Sequence, residues 1–538
     1  MPDGSDAERG AAPSAPGQPW APRANPWVIA VVVALAAFME VLDTSIANVA
    51  LPYIAGNLGA SNDESTWVLT SYLVSNAIVL PITGWFAGLF GRKRFFMVCL
   101  SIFTFSSLLC GIAPSLAGMI LFRVLQGAGG GGLQPMAQAI LADTFPAEKR
   151  GLAFALFGIT TIIAPTIGPT LGGWITDNYS WRWIFFINLP VGIAALLLIR
   201  RLLEDPPWIK GAARAGVAID YVGIALLVTG VGALQILLDR GQELDWFGSP
   251  FIVSLAAVAA LGLISLVVWE WFHETPIVDV RLYKNVNFLG ANFMMFILGI
   301  MLFSSLVMMP QFLQTLMGYS AESAGLVLSG GGVLLLFLMP IAGTLSSKVQ
   351  ARYIIAFGWL ALSAAMFYSA RTLSLEISFR AAAFLRVVQV FGLGFLFVPI
   401  NLVSYIGMPP EKSGSVAGLV NFMRNIGASI GTSMVTTVIA RRAQFRQVQL
   451  AAHAGLGQLP FVTAAEALTR RLVSSGLDAS RATAASYARL YRALIGQATA
   501  LAYIDAFWLL CTIAAIMFVL SFGLKKNEPG AGGQVALE

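Results

Sequence analysis

Two carboxyl groups stand where a membrane-length apolar run would ordinarily carry none. Glu40 and Asp43 interrupt a run that starts near Trp27 and closes with Val41-Leu-Asp43-Thr-Ser-Ile-Ala-Asn48-Val-Ala-Leu-Pro52. Spaced i and i+3, they share one helix face. A charged side chain near the bilayer centre costs roughly 2.5–3.5 kcal/mol on insertion scales, so two acids on one face require a protein interior or a water-lined site. The chemistry such a pair offers is reversible protonation in a transport pathway, at Asp43 or at Glu40. The structural alternative is an acid that caps a local unwinding or bonds to a neighbouring helix.

A cation for them is also present. Arg123 lies a few residues into a later apolar run, followed by Gln126 and the small-residue stretch Gly127–Gly132. A guanidinium in the membrane stays charged and needs a partner or water. Placed close to a carboxyl it sets that group's charge, and Asp43 is the natural candidate; snorkelling to the interface is the alternative. Arg386 and Gln389 repeat the pattern later in the chain, but the run Phe288–Pro310 that precedes them carries no charge. Asn48, Gln126 and Gln389 are candidate cavity residues. Arg424 and Asp505 are either helix–helix ion-pair members or pathway residues.

These residues need membrane helices to hold them. The chain has 538 residues, 57% hydrophobic and 11% charged, against about a quarter charged for soluble proteins. Apolar runs recur from Trp27 onward, giving about fourteen spans of about 20 residues each. This is an all-α polytopic membrane protein with no room for a large soluble domain. The net charge of +6 comes from basic clusters between apolar runs and makes no case for nucleic acid. Cys99, Cys110 and Cys511 fall inside apolar runs, and His273 and His453 are isolated, so neither a disulfide framework nor a histidine metal site is expected. Motifs for an ATPase, a serine hydrolase or a zinc protease are absent, and no cofactor is expected.

The connectors set the orientation. Arg92-Lys93-Arg94, Lys149-Arg150, Arg200-Arg201 with Lys210 and Arg214, Arg281 with Lys284, Lys348 with Arg352, and Lys525-Lys526 fall on one side. Connectors 52–65, 114–117 and 311–324 carry no Lys or Arg. The basic side is therefore cytoplasmic, with both termini inside. The arginine-rich connector 441–498 falls outside on this count, against the rule, and its pattern predicts helical stretches over Ala464–Val473 and Ala479–Ile495 in an ordered extracytoplasmic hairpin.

The chain also repeats itself. Arg123-x-x-Gln126-x-x-Gly129-x-Gly131 recurs as Arg386-x-x-Gln389-x-x-Gly392-x-Gly394, and Pro146-Ala-Glu148-Lys149-Arg-Gly151 as Pro409-Pro-Glu411-Lys412-Ser-Gly414, both at an offset of 263 residues. Pro81-Ile-Thr-Gly84 recurs as Pro340-Ile-Ala-Gly343. Two parallel six-helix halves follow, with the transport site at their interface. The expected division is a disordered tail at 1–26, a first half at 27–202, a linker with two inserted helices at 203–287, a second half at 288–524 and a tail at 525–538.

Three further motifs bear on movement. Gly84 to Gly91-Arg92-Lys93 ends the second span; the glycines allow close helix approach and the basic cluster suits a latch or plain interfacial anchoring. The fifth span carries Pro165, Gly168, Pro169, Gly172 and Gly173, a kinked, tightly packing hinge. Trp181-Arg182-Trp183 opens the sixth and suits the interface belt.

In combination, Leu42-Asp43-Thr44 with Asn48 to Pro52, the loop at 84–93, Arg123 with Gln126-Gly127, the Gly-Pro span, and Trp181-Arg182-Trp183 through Asn188-Leu-Pro190 resemble the fourteen-spanner drug:proton antiporters of the major facilitator superfamily, the EmrB/QacA type. The resemblance runs from about residue 27 to 524. One departure is Gly88, where the loop motif of that family usually has Asp. The resemblance implies a secondary transporter of the bacterial cytoplasmic membrane, not an enzyme. It would exchange protons for lipophilic or cationic amphiphilic drugs, with Asp43 tied to coupling. Relatives in Gram-negative bacteria often work with a periplasmic adaptor protein and an outer-membrane channel, and segment 441–498 could suit an adaptor. An exporter of an endogenous metabolite (siderophore, amino acid or lipid precursor) would share every motif. A non-transporting membrane sensor would keep the fold without needing both acids.

Overall fold

A computed structural model describes residues 22–210, 219–455 and 457–526. Most of both expected tails, and Arg214, lie outside the described residues. Among the described residues the chain is helical throughout, with no strand.

Local chemistry sets where the first helix begins and ends. The Asn25 side chain accepts from the Trp27 amide and Pro26 occupies the first turn, where its missing N–H costs nothing. Gly59, at φ +65°, closes the helix in the left-handed conformation. The membrane helices then run α1 Pro26–Leu58, α2 Trp67–Phe90, α3 Arg92–Gly111, α4 Leu116–Thr144, α5 Ala147–Asn178 and α6 Trp183–Leu202. Next come α7 Tyr221–Arg240 and α8 Pro250–Phe272, then α9 Val286–Met317, α10 Ala321–Ser346, α11 Ala351–Thr372, α12 Phe379–Ser404, α13 Ser413–Ala451 and α14 Ala479–Leu520. Thirteen of these are long and apolar enough to cross a membrane. The exception is α13, which carries Asn421, Arg424, Asn425 and several Ser and Thr residues. Its polar face is turned into the protein, where Asn421 and Arg424 are buried.

The two copies pack alike. In the first half α1 lies on α5, α2 on α4 and α3 on α4; in the second, α9 lies on α13, α10 on α12 and α11 on α12. The halves meet along two seams, α2 with α13 and α5 with α10. At the end that carries Arg92 and Lys412, here the basic end, both seams close through repeat-related glycines. A Cβ on Gly414 would sit 3.3 Å from Gly84 Cα, and a Cβ on Gly151 would sit 2.3 Å from the Gly343 carbonyl oxygen. Between the seams Gln138 donates to Asn401, the residue 263 positions later. The same position of each repeat thus meets itself on the axis relating the halves.

The inserted pair α7–α8 is tied by Gly230 and Gly262 and rests across one seam. Asp239 accepts from Thr70 of α2. On α13, Ser429 accepts from Gln235 at 2.9 Å and Thr437 accepts from the Trp246 indole at 3.0 Å. Both expected stretches of the segment after Arg441, Ala464–Val473 and Ala479–Ile495, are helical, and the flanking membrane helices extend into it. α13 runs on to Ala451, and α14 is one helix of 42 residues, about 63 Å long against a hydrocarbon core of about 30 Å. Leu459–Ser474 forms a short helix between them and packs on α14, where Ser486 Oγ donates to the Ala465 carbonyl at 3.0 Å.

The glycine seam makes a prediction. Gly151→Leu cannot be accommodated without moving α5 off the α10 backbone, so the detergent-purified protein is expected to melt several degrees lower. Gly173, with nothing within 4 Å of its Cβ position, should accept Leu with little loss. Melting temperatures read by size-exclusion fluorescence after heating check both.

Candidate functional site

Asp43 and Arg123 meet in the interior of the first half. Arg123 Nη1 lies 2.7 Å from Asp43 Oδ2, with Arg123 0% and Asp43 2% exposed. The other carboxylate oxygen, Oδ1, accepts from Gln126 Nε2 at 3.0 Å and from Asn188 Nδ2 at 2.6 Å. Arg123 Nε donates to the Val68 carbonyl at 3.0 Å, and its guanidinium lies over the Tyr72 ring, 4.3 Å from the centroid. α1, α4 and α6 thus meet at one carboxylate, and α2 holds the arginine that pairs with it. Gln126 stands one turn beyond Arg123 on α4, so the two reach the same point.

Glu40, one turn before Asp43, joins a second set. Its Oε1 accepts from the Tyr72 hydroxyl at 2.8 Å and from Asn76 Nδ2 at 3.0 Å, and its Oε2 accepts from Gln134 Nε2 at 2.6 Å. Tyr72 therefore touches both acid sets, with its hydroxyl on Glu40 and its ring under Arg123. The Gln134 side-chain oxygen, Oε1, accepts from Arg424 Nη2 of the second half. A chain of polar contacts runs from Asp43 through Arg123, Tyr72, Glu40 and Gln134 across the interface to Arg424, whose guanidinium is also 5.8 Å from the Phe397 ring centroid.

The hinge motif joins this network from the other side of α1. Pro169 has no N–H, so the Pro165 carbonyl has no helical donor. Ser45 Oγ supplies one at 3.2 Å. Gly168 and Gly172 let the α1 backbone in: a Cβ on Gly168 would lie 2.3 Å from Ser45 Oγ, and one on Gly172 would lie 3.1 Å from Ile46 Cγ2. The freed carbonyl of α5 is thus bonded to α1 two residues from Asp43. Gly173 faces open space.

At the basic end Gly91 turns the chain at φ +88°. Buried Arg92 pairs with Asp143 of α4, and donates to Ser413 Oγ at 2.7 Å and the Pro410 carbonyl at 3.1 Å, both of the second half. Ser413 in turn donates to Asp143 at 3.0 Å. The backbone amide of Lys93 donates to Asp205 at 2.8 Å. With Gly88 on α2, the acids here come from Asp143 and Asp205.

The remaining sequence candidates lie elsewhere. Asn48 is exposed on α1. Gln389 donates to Ser369 at 2.9 Å and accepts from Arg386 at 3.4 Å, within the second half. Asp505 is in an ion pair with Arg442 and Arg446 at the end opposite the basic one, 2.9 and 2.7 Å away, and meets neither Asp43 nor Glu40. Arg182 caps the end of α3, donating to the Gly111 and Ala113 carbonyls at 2.9 and 3.0 Å. Sequence reasoning missed Tyr72, Asn76, Gln134, Asn188 and Asp143. Asn188 alone carried a signal, as the asparagine after Trp181-Arg182-Trp183, but its carboxylate contact depends on the fold.

The chain matches the family model described as Major Facilitator Superfamily over residues 33–432. Among its relatives, the multidrug export protein EmrB of Escherichia coli (strain K12) is 37% identical over 509 residues, covering 94% of this chain and 96% of that protein. The fatty acid resistance protein FarB of Neisseria gonorrhoeae is 39% identical over 421 residues, covering 78% and 82%. Among solved structures, the proton:xylose symporter XylE bound to 6-bromo-6-deoxy-D-glucose aligns with a TM-score of 0.62 at 14% identity, over 95% of this chain and 98% of that one, a likeness of fold alone.

Removing one member of the buried pair should cost more than removing both. Arg123→Gln leaves a buried carboxylate without its cation, a loss of about 3–5 kcal/mol. Adding Asp43→Asn removes the stranded charge and should restore most of the stability. Thermal unfolding of the detergent-purified variants reads the order directly: if the double variant is no more stable than Arg123→Gln, the pair is not the source of the cost.

Proposed function

Because the chain belongs to the Major Facilitator Superfamily, and is a multi-pass membrane transporter and not an enzyme, we propose that it exports lipophilic and cationic amphiphilic compounds across a bacterial cytoplasmic membrane in exchange for protons. The observation that carries this reading is the buried Asp43–Arg123 pair joined to the α5 hinge. We place the basic end in the cytoplasm by the positive-inside rule, and the division into halves with a two-helix insert at 203–287 follows the repeat. The arginine-bearing extensions of α13 and α14 would be the surface for a periplasmic adaptor.

The mechanism follows from the contacts. An ionised Asp43 accepts from Arg123, Gln126 and Asn188, which holds α1 against α4 and α6. Protonation removes the charge and turns one acceptor oxygen into a donor, so that set can no longer be satisfied as it stands. Arg123 is left to Gln126, the Val68 carbonyl and the Tyr72 ring, and α1 is freed to shift. Through Ser45 and Pro165, α5 shifts with it, and α5 forms a seam with the second half. Two discrete arrangements of one packed element, biased by a proton at one site and a solute at another, are what coupling requires. One proton crossing about 100 mV yields roughly 2.3 kcal/mol and half a pH unit adds roughly 0.7. Together these sustain a gradient of about a hundredfold for an uncharged solute, whereas for a monovalent cation exchanged one for one the electrical term cancels and only the pH term drives export.

Glu40 is the group we assign to a cationic substrate, which would displace Gln134 from its carboxylate. A second reading rests on Arg424. Among the described residues it bonds to an amide and faces an aromatic ring, and Glu40 acts on it through charge without an ion-pair contact, which suits the acid head group of an amphiphile, and one relative is named for fatty acid resistance.

The decisive assay is ethidium efflux from proteoliposomes with an imposed pH gradient. The intact protein should move dye only with the gradient, and Asp43→Asn should not respond to it. Equal movement by both would make Asp43 structural, and no movement by either would favour a dedicated substrate. The two head-group readings separate by variant: Glu40→Gln should cut cationic dye export about tenfold or more and spare an acidic amphiphile, and Arg424→Gln should do the reverse.

A further inference from the structure

The second half contains a buried arginine with no acid of its own. Arg386 occupies on α12 the position of Arg123 on α4, and it is 1% exposed. It lies seven residues after Phe379, roughly 10 Å along the helix, and does not reach the surface. Gly331 of α10 comes against its stem, where a Cβ would sit 3.3 Å from Arg386 Cγ. Gly331 thus brings the α10 backbone close against the stem.

Its partners differ from those of Arg123 one by one. Where Arg123 Nη1 meets Asp43, Arg386 Nη1 meets the Ser305 hydroxyl at 3.0 Å. These contacts span 80 and 81 residues, so Ser305 stands within one residue of the place of the carboxylate. Where Arg123 Nε donates to a carbonyl, Arg386 Nε is buried without an acceptor. Where Arg123 lies over a tyrosine ring, no ring contact of Arg386 occurs among the described residues. Gln389 is the one shared element, more distant at 3.4 Å.

Charged groups on the packed helices do not compensate. α9 carries none. On α10 the one charge is Glu322, nine residues from Gly331 and exposed. Arg371 on α11 and Arg380 on α12 are exposed cations, and Glu376 is exposed between them. Glu322 and Glu376 offset Arg371 and Arg380, Arg352 at the start of α11 adds a further cation, and the buried guanidinium remains without a counter-charge. A buried charge needs a counter-charge to be tolerated at low cost.

We propose that Arg386 binds a small monovalent anion, of halide size, which accepts from its Nε–H and supplies in the second half the negative charge that Asp43 supplies in the first. The anion is a bound structural counter-ion and does not move with the proton. It neutralises the second half, so that the charge changes of the cycle stay in the first. Its occupancy can be measured apart from transport, so its failure would leave the export reading untouched.

The test uses the full-length chain in detergent, unfolded thermally in sodium gluconate buffer free of chloride and in sodium chloride of equal ionic strength. The wild type should gain roughly 2–4 °C with chloride, saturably, and bromide should act like chloride. Ser305→Asp places a carboxylate beside Arg386. It should be as stable in gluconate as the wild type is in chloride, and should not respond to the exchange. Arg386→Gln should also lose the response; if it cannot be purified, Ser305→Asp decides. A wild type indifferent to the exchange, or a response unchanged in Ser305→Asp, overturns the proposal.

Discussion

An isolated carboxylate cannot be kept ionised at low cost in the middle of a helical membrane bundle, and an isolated guanidinium cannot lose its charge there at all. The contact between Asp43 and Arg123 resolves both problems at once. It also commits several helices to one point, because the remaining lone pairs need Gln126 from α4 and Asn188 from the start of α6. Any event that changes the charge on Asp43 therefore acts on the packing of α1 against α4 and α6, not on one side chain. That is the sense in which a single titratable group can have a mechanical consequence in a bundle held largely by close packing.

The consequence is transmitted because α5 is bonded to α1 at the same level. Its two prolines would ordinarily be read only as a kink. Here Pro169 frees the Pro165 carbonyl, and Ser45 takes it up across a helix contact that Gly168 and Gly172 keep close. A backbone acceptor that cannot be satisfied within its own helix becomes the link to the neighbour. On its other face α5 meets α10, with Gly151 and Gly343 in backbone contact. One helix thus touches the acid-bearing helix and the second half, with no flexible loop between.

How much of this was legible in the sequence depends on the distance over which each signal acts. Helix number, the repeat and the insert follow from hydropathy and from offsets along the chain, which are one-dimensional. The 263-residue offset reappears as Gln138 meeting Asn401. The α13 span is the least apolar of the fourteen, since its polar face, with Asn421 and Arg424, is internal. Asp43 and Arg123 were identifiable because a charge in an apolar run needs a reason. Tyr72, Asn76 and Gln134 were not, because uncharged polar residues are tolerated in membrane helices and carry no such demand. Asp505 shows the converse. It sits in an apolar stretch, yet α14 continues so far beyond it that it pairs with Arg442 and Arg446 at the far end of the bundle. Helix length, which sequence fixes poorly, decided its role.

The repeat also exposes an asymmetry that composition alone conceals. Both halves carry an arginine and a glutamine one turn apart on equivalent helices, so the repeat places a buried cation in each. Only the first half kept the acid, and only there do a carbonyl and a tyrosine ring complete the arginine's surroundings. Two identical acid–base sites would titrate together and oppose one another through the shared axis. One such site, with a second half whose charge does not change, gives the halves different responses to the same proton. The line of contacts from Glu40 through Gln134 to Arg424 then joins the acid set of the first half to the second across the centre of the molecule, beside the Gln138–Asn401 contact on the axis.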